Sequence, residues 1–334
     1  RGPNVSAFSA ELASYVGAKY AFPTTSATTA LWVSLKALGV GKGDEVAVSD
    51  FSFPATANVV EDLGAEPLFV DVDPLSFNMC GTDLLEKITP KTKAVIFVDS
   101  FGNPTNLDGI KNICDELSIP LIEDAACALG SGVENLRCGN ISKMTCFSFH
   151  PRKLICTGEG GAITTNDDDL AKWLEIKLLH GASKSQEGIL EFSDYGFNFR
   201  LSELQAVMGR KQLMSLDEII KGRNETRDFY EKILSPYGFQ AQVVSPSAFH
   251  NSQSVVFTVP GHIDRDDLIA KLKMQSIETT IGTYCQSNLP YFRNKYCAIQ
   301  PNSKRLQETT ITLPCYETVP TERICQEILS LTRS

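Results

Sequence analysis

Lys153 follows Phe147-Ser148-Phe149-His150-Pro151-Arg152 and precedes Thr157-Gly158-Glu159-Gly160-Gly161. An amine beside a glycine-rich turn suits Schiff-base chemistry when desolvated, although a solvated surface lysine is the plainer reading. Asp124 ends the run Pro120-Leu121-Ile122-Glu123-Asp124. At the carboxyl end of a parallel strand its carboxylate either faces a ligand crevice or caps the segment that follows. Thr24-Thr25-Ser26-Ala27-Thr28-Thr29 opens a helix with leucines at 31, 35 and 38. Hydroxyls and free amides at a helix N-terminus favour an anion such as phosphate, whereas capping alone explains one hydroxyl and not all five. Phe53 follows a strand in Asp50-Phe51-Ser52-Phe53-Pro54 and reads either as core or as a ring that lies flat on an aromatic ligand.

Other chemistries fall away. The chain has no G-x-x-x-x-G-K-[ST], and Gly130-Ser131-Gly132 lacks the third glycine of a dinucleotide fingerprint. The four histidines, at 150, 180, 250 and 262, give neither HExxH nor an i, i+4 pair, so no metal set is expected. Thirty-one Lys and Arg against 40 Asp and Glu leave a net charge of −9, which disfavours a nucleic-acid partner. No apolar run approaches the ~20 residues of a membrane span. Ten cysteines without C-x-x-C spacing read as buried, reduced thiols, and the opening Arg1-Gly2-Pro3 carries no secretory pattern. A cytoplasmic location is the expectation.

The elements that must position these residues form a βαβ rhythm. Strands are expected at Glu45 to Ser49, Pro67 to Val72, Lys93 to Val98 and Pro120 to Glu123, each nearly all apolar, as strands covered on both faces are. Crossover helices are expected at Ala55 to Leu63, Thr82 to Ile88 and Leu107 to Leu117, which makes the sheet parallel. Strands at Met144 to Phe149 and Gly161 to Thr165 flank the stretch around Lys153, and helices follow at Asp168 to Leu179, Ser202 to Leu213 and Leu216 to about Leu234. Beyond Ser235 the pattern becomes strand, helix, strand and a final helix from Thr321. A chain of 334 residues is long for one core. The expected division is a large domain, 1–220, and a small α+β domain, 221–334, with a bridging helix.

Taken together, the pieces resemble the DegT-type aminotransferases, which use pyridoxal 5'-phosphate to aminate keto sugars. The resemblance runs from about Phe8 to Ile328. It is carried by Ser26 to Leu31, Gly41 to Val46, Phe53 to Asn58, Val70 to Asp73, Glu123 to Ala126, Phe147 to Lys153, Thr157 to Gly161 and Gly196 to Ala206, in that order and spacing. It implies an α/β fold type I transferase with a mainly parallel central sheet, helices on both faces and a small C-terminal domain. It also implies a homodimer with shared active sites.

Carried over position by position, the resemblance makes Lys153 the lysine that binds the cofactor covalently and later carries the substrate proton. Asp124 pairs with the pyridine nitrogen. Ser26, Ala27, Thr28 and Ser148 hold the phosphate, Phe53 stacks on the ring, and Asn198 reaches the cofactor of the neighbouring subunit. Cys127 stands where the family usually has Gln near the cofactor's phenolic oxygen, and the C-terminal loop Tyr284 to Tyr291 lacks the family's usual His. His150, Arg200, Tyr284, Tyr291 and Arg293 are candidate substrate contacts. The implied reaction moves an amino group from an amino acid, glutamate, to a keto sugar, most often nucleotide-linked, through pyridoxamine 5'-phosphate. A cyclitol or other ketone is an alternative acceptor. A sugar dehydratase and a cofactor-binding regulator without catalysis are alternative functions.

Overall fold

The computed structural model describes residues 2–184 and 188–332. At its centre is a seven-stranded sheet in the order Tyr20–Thr24, Gly161–Thr165, Met144–Ser148, Leu121–Asp124, Thr92–Val98, Glu45–Ser49 and Glu66–Val70. The last five strands run parallel to one another. Gly161–Thr165 runs antiparallel to both its neighbours.

Alternation along the central strands gives each face of the sheet its own core. Val46, Val48, Ala94 and Ile96 pack with the helices Ala27–Ala37, Ala55–Asp62 and Asp168–Lys177. Ala47, Val95 and Phe97 point the other way, to the helices Pro3–Val16, Leu107–Glu116 and Glu203–Leu213. Successive side chains of a strand point to opposite faces, so a strand covered on both sides must be apolar throughout. Each fully buried Val, Leu, Ile or Phe contributes about 1.5–3 kcal/mol.

Glu45–Ser49 lies between the two strands that follow it in sequence. The chain leaves it for Glu66–Val70 on one side and returns to Thr92–Val98 on the other. Connections leaving neighbouring strands in opposite directions open a crevice at their carboxyl ends.

A third core surrounds a four-stranded antiparallel sheet in the order Gln240–Ala241, Val255–Thr258, Thr310–Leu313 and Thr280–Ile281. Tyr230, Phe257, Leu272, Ile311 and Ile328 are buried in it. The helices Leu216–Leu234, Arg265–Met274 and Thr321–Thr332 cover it.

The expected elements occur with boundaries exact or shifted by at most two residues. The helices Pro3–Val16, Pro290–Tyr296 and Pro301–Thr309 and the strands Tyr20–Thr24 and Thr310–Leu313 were not anticipated. Residues 284–309 also return to the large sheet. Tyr284–Cys285 pairs with Phe51–Ser52, and Phe292 is buried in the core beneath Phe69. No helix among the described residues is long and apolar enough to cross a membrane. The cysteines are unpaired as expected, but only five are buried, and Cys297 is exposed.

Candidate active site

A cavity of about 990 Å³ opens at the carboxyl ends of the parallel strands. The chain delivers its lining in short pieces, each just past a strand. Ser26, Ala27 and Thr28 follow Tyr20–Thr24, Phe53 follows Phe51–Ser52, Cys127 follows Leu121–Asp124 and Lys153 follows Met144–Ser148. Asp124, Ser148 and His150 also line it. The far wall comes from Ser276 to Thr280, Leu313 to Tyr316 and Arg323.

At one end, Ser26 caps the Ala27–Ala37 helix by accepting from Thr29 N–H at 3.0 Å. The other hydroxyls of this run have mostly local uses. Thr24 donates to the Ser26 carbonyl, and Thr25 bonds to Thr29. Only Thr28 is exposed at the cavity without such a partner, so the count of hydroxyls is weaker support for an anion than the sequence suggested. The amides carry the argument instead. Thr29 and Ala30 N–H are used by the cap, leaving those of Ala27 and Thr28 at the positive end of the helix. Gly161 lets the backbone close in here. A Cβ on it would lie 2.4 Å from the Ser26 carbonyl carbon and 2.6 Å from Ala27 N.

Asp124 is almost wholly buried at the cavity floor. Thr56 Oγ1 donates to Oδ2 at 3.0 Å, and Ala126 N–H donates to Oδ1 at 3.3 Å. Burial pushes its pKa above the usual carboxylate range, while the Thr56 hydroxyl, the Ala126 amide and the charge of Lys153 pull it back. Asp99, behind it, is fully buried, and desolvation followed by the charge of Glu123 drives its pKa well up.

Lys153 is half-buried, and its Nζ donates to Cys127 Sγ at 2.9 Å. Ser148 accepts from His150 N–H at 3.4 Å. His150 Nε2 lies 3.9 Å from Glu159 Oε1. Phe53 is 66% exposed, so the core reading fails and the ring is free to lie against a ligand. Its ring stands 6.5 Å from that of Tyr284.

Five expected residues do not line the cavity within this chain. Asn198 is exposed and accepts from Arg200, on a segment bridged to Leu179 and Thr24. Tyr284 stands behind Phe53, while Tyr291 donates to Glu61 and Arg293 to Asn288. Conversely, sequence reasoning missed Thr56 as the partner of Asp124. It also missed Thr279, Tyr316 and Arg323, which come from separate C-terminal segments with no motif to mark them.

The residues fit pyridoxal phosphate. Free amides at a helix N-terminus, an amine, a buried carboxylate and an exposed aromatic ring share one cavity.

The comparisons agree with this geometry. The sequence model of the DegT/DnrJ/EryC1/StrS aminotransferase family matches residues 1–330. The chain is 33% identical to the spore coat polysaccharide biosynthesis protein SpsC of Bacillus subtilis, over 95% of this chain and 85% of that protein. It is 37% identical to the UDP-2-acetamido-2-deoxy-3-oxo-D-glucuronate aminotransferase of Pseudomonas aeruginosa, over 84% of this chain and 76% of that one. The aminotransferase TlmJ of Streptoalloteichus hindustanus superposes with a TM-score of 0.91 at 28% identity, covering 99% of this chain and 92% of TlmJ. A buried acid and a lysine amine on one cavity, in a chain matched over residues 1–330, lead to one assignment: this protein belongs to the DegT/DnrJ/EryC1/StrS family of pyridoxal-phosphate-dependent aminotransferases.

Proposed function

We propose that the chain moves the amino group of L-glutamate to a keto-deoxysugar carried on a nucleotide, in a site completed by a second copy of the chain. The observation that carries this reading is the placement of Lys153 and Asp124 on one cavity whose far wall comes from residues 276 to 323, distant in sequence from both. That volume exceeds what a cofactor alone fills and leaves room for an elongated acceptor. The Pseudomonas aeruginosa relative is named for a UDP-linked oxo sugar, which supports the nucleotide.

When bound, pyridoxal phosphate supplies a ring that draws electrons from the substrate carbon as its proton leaves. The chain's residues prepare for that. The amides of Ala27 and Thr28, with the hydroxyls of Thr28 and Ser148 beside the Ser26 cap, would receive the phosphate. Asp124 would pair with the ring nitrogen; burial raises the pKa of its carboxyl, and the Thr56 hydroxyl pulls it back. Phe53, exposed at the cavity, would lie against one face of the ring. Lys153 takes the proton from the substrate carbon and returns it one atom away, so one amine serves as base and then acid.

Asn198 is read as a contact to the partner's cofactor, because it is exposed and off the cavity of its own chain. The exposed Phe192, Leu204 and Met214 give a homodimer apolar surface to bury. The same reading keeps 1–220 as the cofactor-binding part and 221–334 as the smaller part around its own core. A reducing, cytoplasmic setting suits ten unpaired thiols.

Absorbance tests the reading directly. The purified chain with pyridoxal phosphate is expected to be yellow, Lys153→Ala to lack the lysine-bound band, and L-glutamate to bleach it to the pyridoxamine form. A wild-type chain that stays colourless in excess cofactor overturns the proposal. A band that responds to a sugar nucleotide and not to glutamate points to the dehydratase reading.

A further inference from the structure

Cys127 lies three residues beyond Asp124, and its sulfur is 2.9 Å from the amine of Lys153. Both line the cavity, so a small solute that enters it reaches them. Other thiols have different company. Cys114, Cys138, Cys146, Cys285 and Cys325 are buried. Cys80 contacts the Thr82 hydroxyl, Cys156 the Gly158 amide and Cys315 the Arg223 carbonyl. Among the described residues, Cys127 is the thiol in hydrogen-bond contact with a lysine amine.

We infer that Cys127 and Lys153 form a reversible modification site, in which hydrogen peroxide converts the pair to a sulfenamide cross-link and removes the amine the cofactor needs. The consequence for the cofactor rests on the role of Lys153 proposed above, whereas the cross-link itself does not.

The chemistry balances in two steps. In the first, the Cys127 sulfur attacks peroxide. The O–O bond breaks, the sulfur is oxidised by two electrons to the sulfenic acid, and one water leaves. In the second, the neutral Lys153 amine attacks that sulfur. The S–N bond forms as the S–O bond breaks, and the departing hydroxide takes an amine proton to leave as a second water. A thiol reductant reverses it by attacking the sulfur. The amine is released with a proton, and a second thiol exchanges the mixed disulfide back to the Cys127 thiol.

Geometry decides between this product and irreversible oxidation. A sulfenic acid is lost to sulfinic acid only when a second peroxide arrives before a nearby nucleophile. An amine already in contact acts as an intramolecular reactant, with the large effective concentration that implies. Cofactor held by Lys153 occupies the amine and protects the pair.

Peptide mapping by mass spectrometry tests this on the full chain, loaded with pyridoxal phosphate and stripped of it by hydroxylamine, each given limiting hydrogen peroxide. In the stripped protein the expected product is a pair of peptides joined at Cys127 and Lys153, lighter by two hydrogens than their sum and released by dithiothreitol. The loaded protein is expected to lack it. Cofactor uptake, read by absorbance, falls with the linked fraction and returns on reduction. In Lys153→Ala the Cys127 sulfenic acid is expected to persist and to be trapped by dimedone. Cys127→Ser is expected to give no link. A stripped wild-type protein in which Cys127 goes to sulfinic acid, or in which Cys297 is oxidised while Cys127 is untouched, overturns the proposal and leaves the aminotransferase reading intact. A link formed equally in loaded and stripped protein upholds the cross-link and overturns the cofactor role of Lys153.

Discussion

Asp124 and Asp50 both sit at the carboxyl ends of central parallel strands, and both are buried, yet their surroundings differ. Asp50 is saturated by the C-terminal segment. Ser287 N–H donates to it at 2.6 Å, Ser287 Oγ at 2.9 Å and Cys285 Sγ at 3.1 Å. Asp71 is filled in the same way by Asn302 and Ser303. These two carboxylates clamp residues 284–309 to the large sheet. Asp124 receives one hydroxyl and one long amide contact, and it keeps acceptor capacity toward the cavity. A carboxylate whose lone pairs are all used holds structure, and one left partly free at a cavity is available for chemistry.

Asp124→Asn is expected to slow amino transfer by about 10²- to 10³-fold, because a neutral amide cannot keep the ring nitrogen protonated. Its thermal midpoint is expected to stay near wild type. A variant that loses stability and keeps its rate would reverse the contrast with Asp50.

Asp50 gives the opposite signature. Burial pushes its pKa up to about 6 against the donors from Ser287 and Cys285. The folded state therefore keeps a proton that the unfolded chain releases near pH 4. Stability falls as pH rises from about 4 to 6, by about 3 kcal/mol, and is level above that window. His250 acts with the other sign. Burial and Arg227 lower its pKa to about 4, so its contribution is lost as pH falls from 6.5 toward 4. Because His250 is common to both proteins, subtracting the unfolding profile of Asp50→Asn from that of the wild type isolates the Asp50 slope. A flat difference would sink the assignment. At neutral pH, Asp50→Ala is expected to remove about 2 kcal/mol by stranding the Ser287 donors, with a much smaller effect on rate than Asp124→Asn.

The smallest effect sharpens the comparison most. Thr56→Val removes the shortest hydrogen bond to Asp124 and keeps its shape. Losing a donor to the charged form raises the carboxylate pKa, so the acid limb of the rate profile is expected to move to higher pH. An unmoved limb would mean that Thr56 does not tune Asp124.

Much of this was legible before any coordinates. Glu45 to Ser49 and Gly161 to Thr165 were read to the residue, because an apolar run bounded by turn residues carries its own signal. Capping at the start of the Ala27–Ala37 helix is legible for the same local reason, whereas Ser202, expected as the first residue of its helix, is its N-cap. Thr310–Leu313 was overlooked between two polar segments, although it pairs on both sides within its sheet. For Phe53 the sequence leaves core and ligand-facing readings open, and its exposure where the strand ends above the cavity favours the second.

By itself the sequence determined the parallel strands and their crossover helices, and so brought Asp124 and Lys153 to one edge of a parallel sheet. Those features follow from periodicity and capping within a few residues of each position. Only the tertiary structure decided that Ser287, far along the chain, fills Asp50, while among the described residues Thr56 is the side-chain hydroxyl that reaches Asp124. It likewise placed the Cys127 sulfur against the Lys153 amine. Which donor meets which acceptor depends on chain segments packed together from a distance, and no local pattern encodes that pairing.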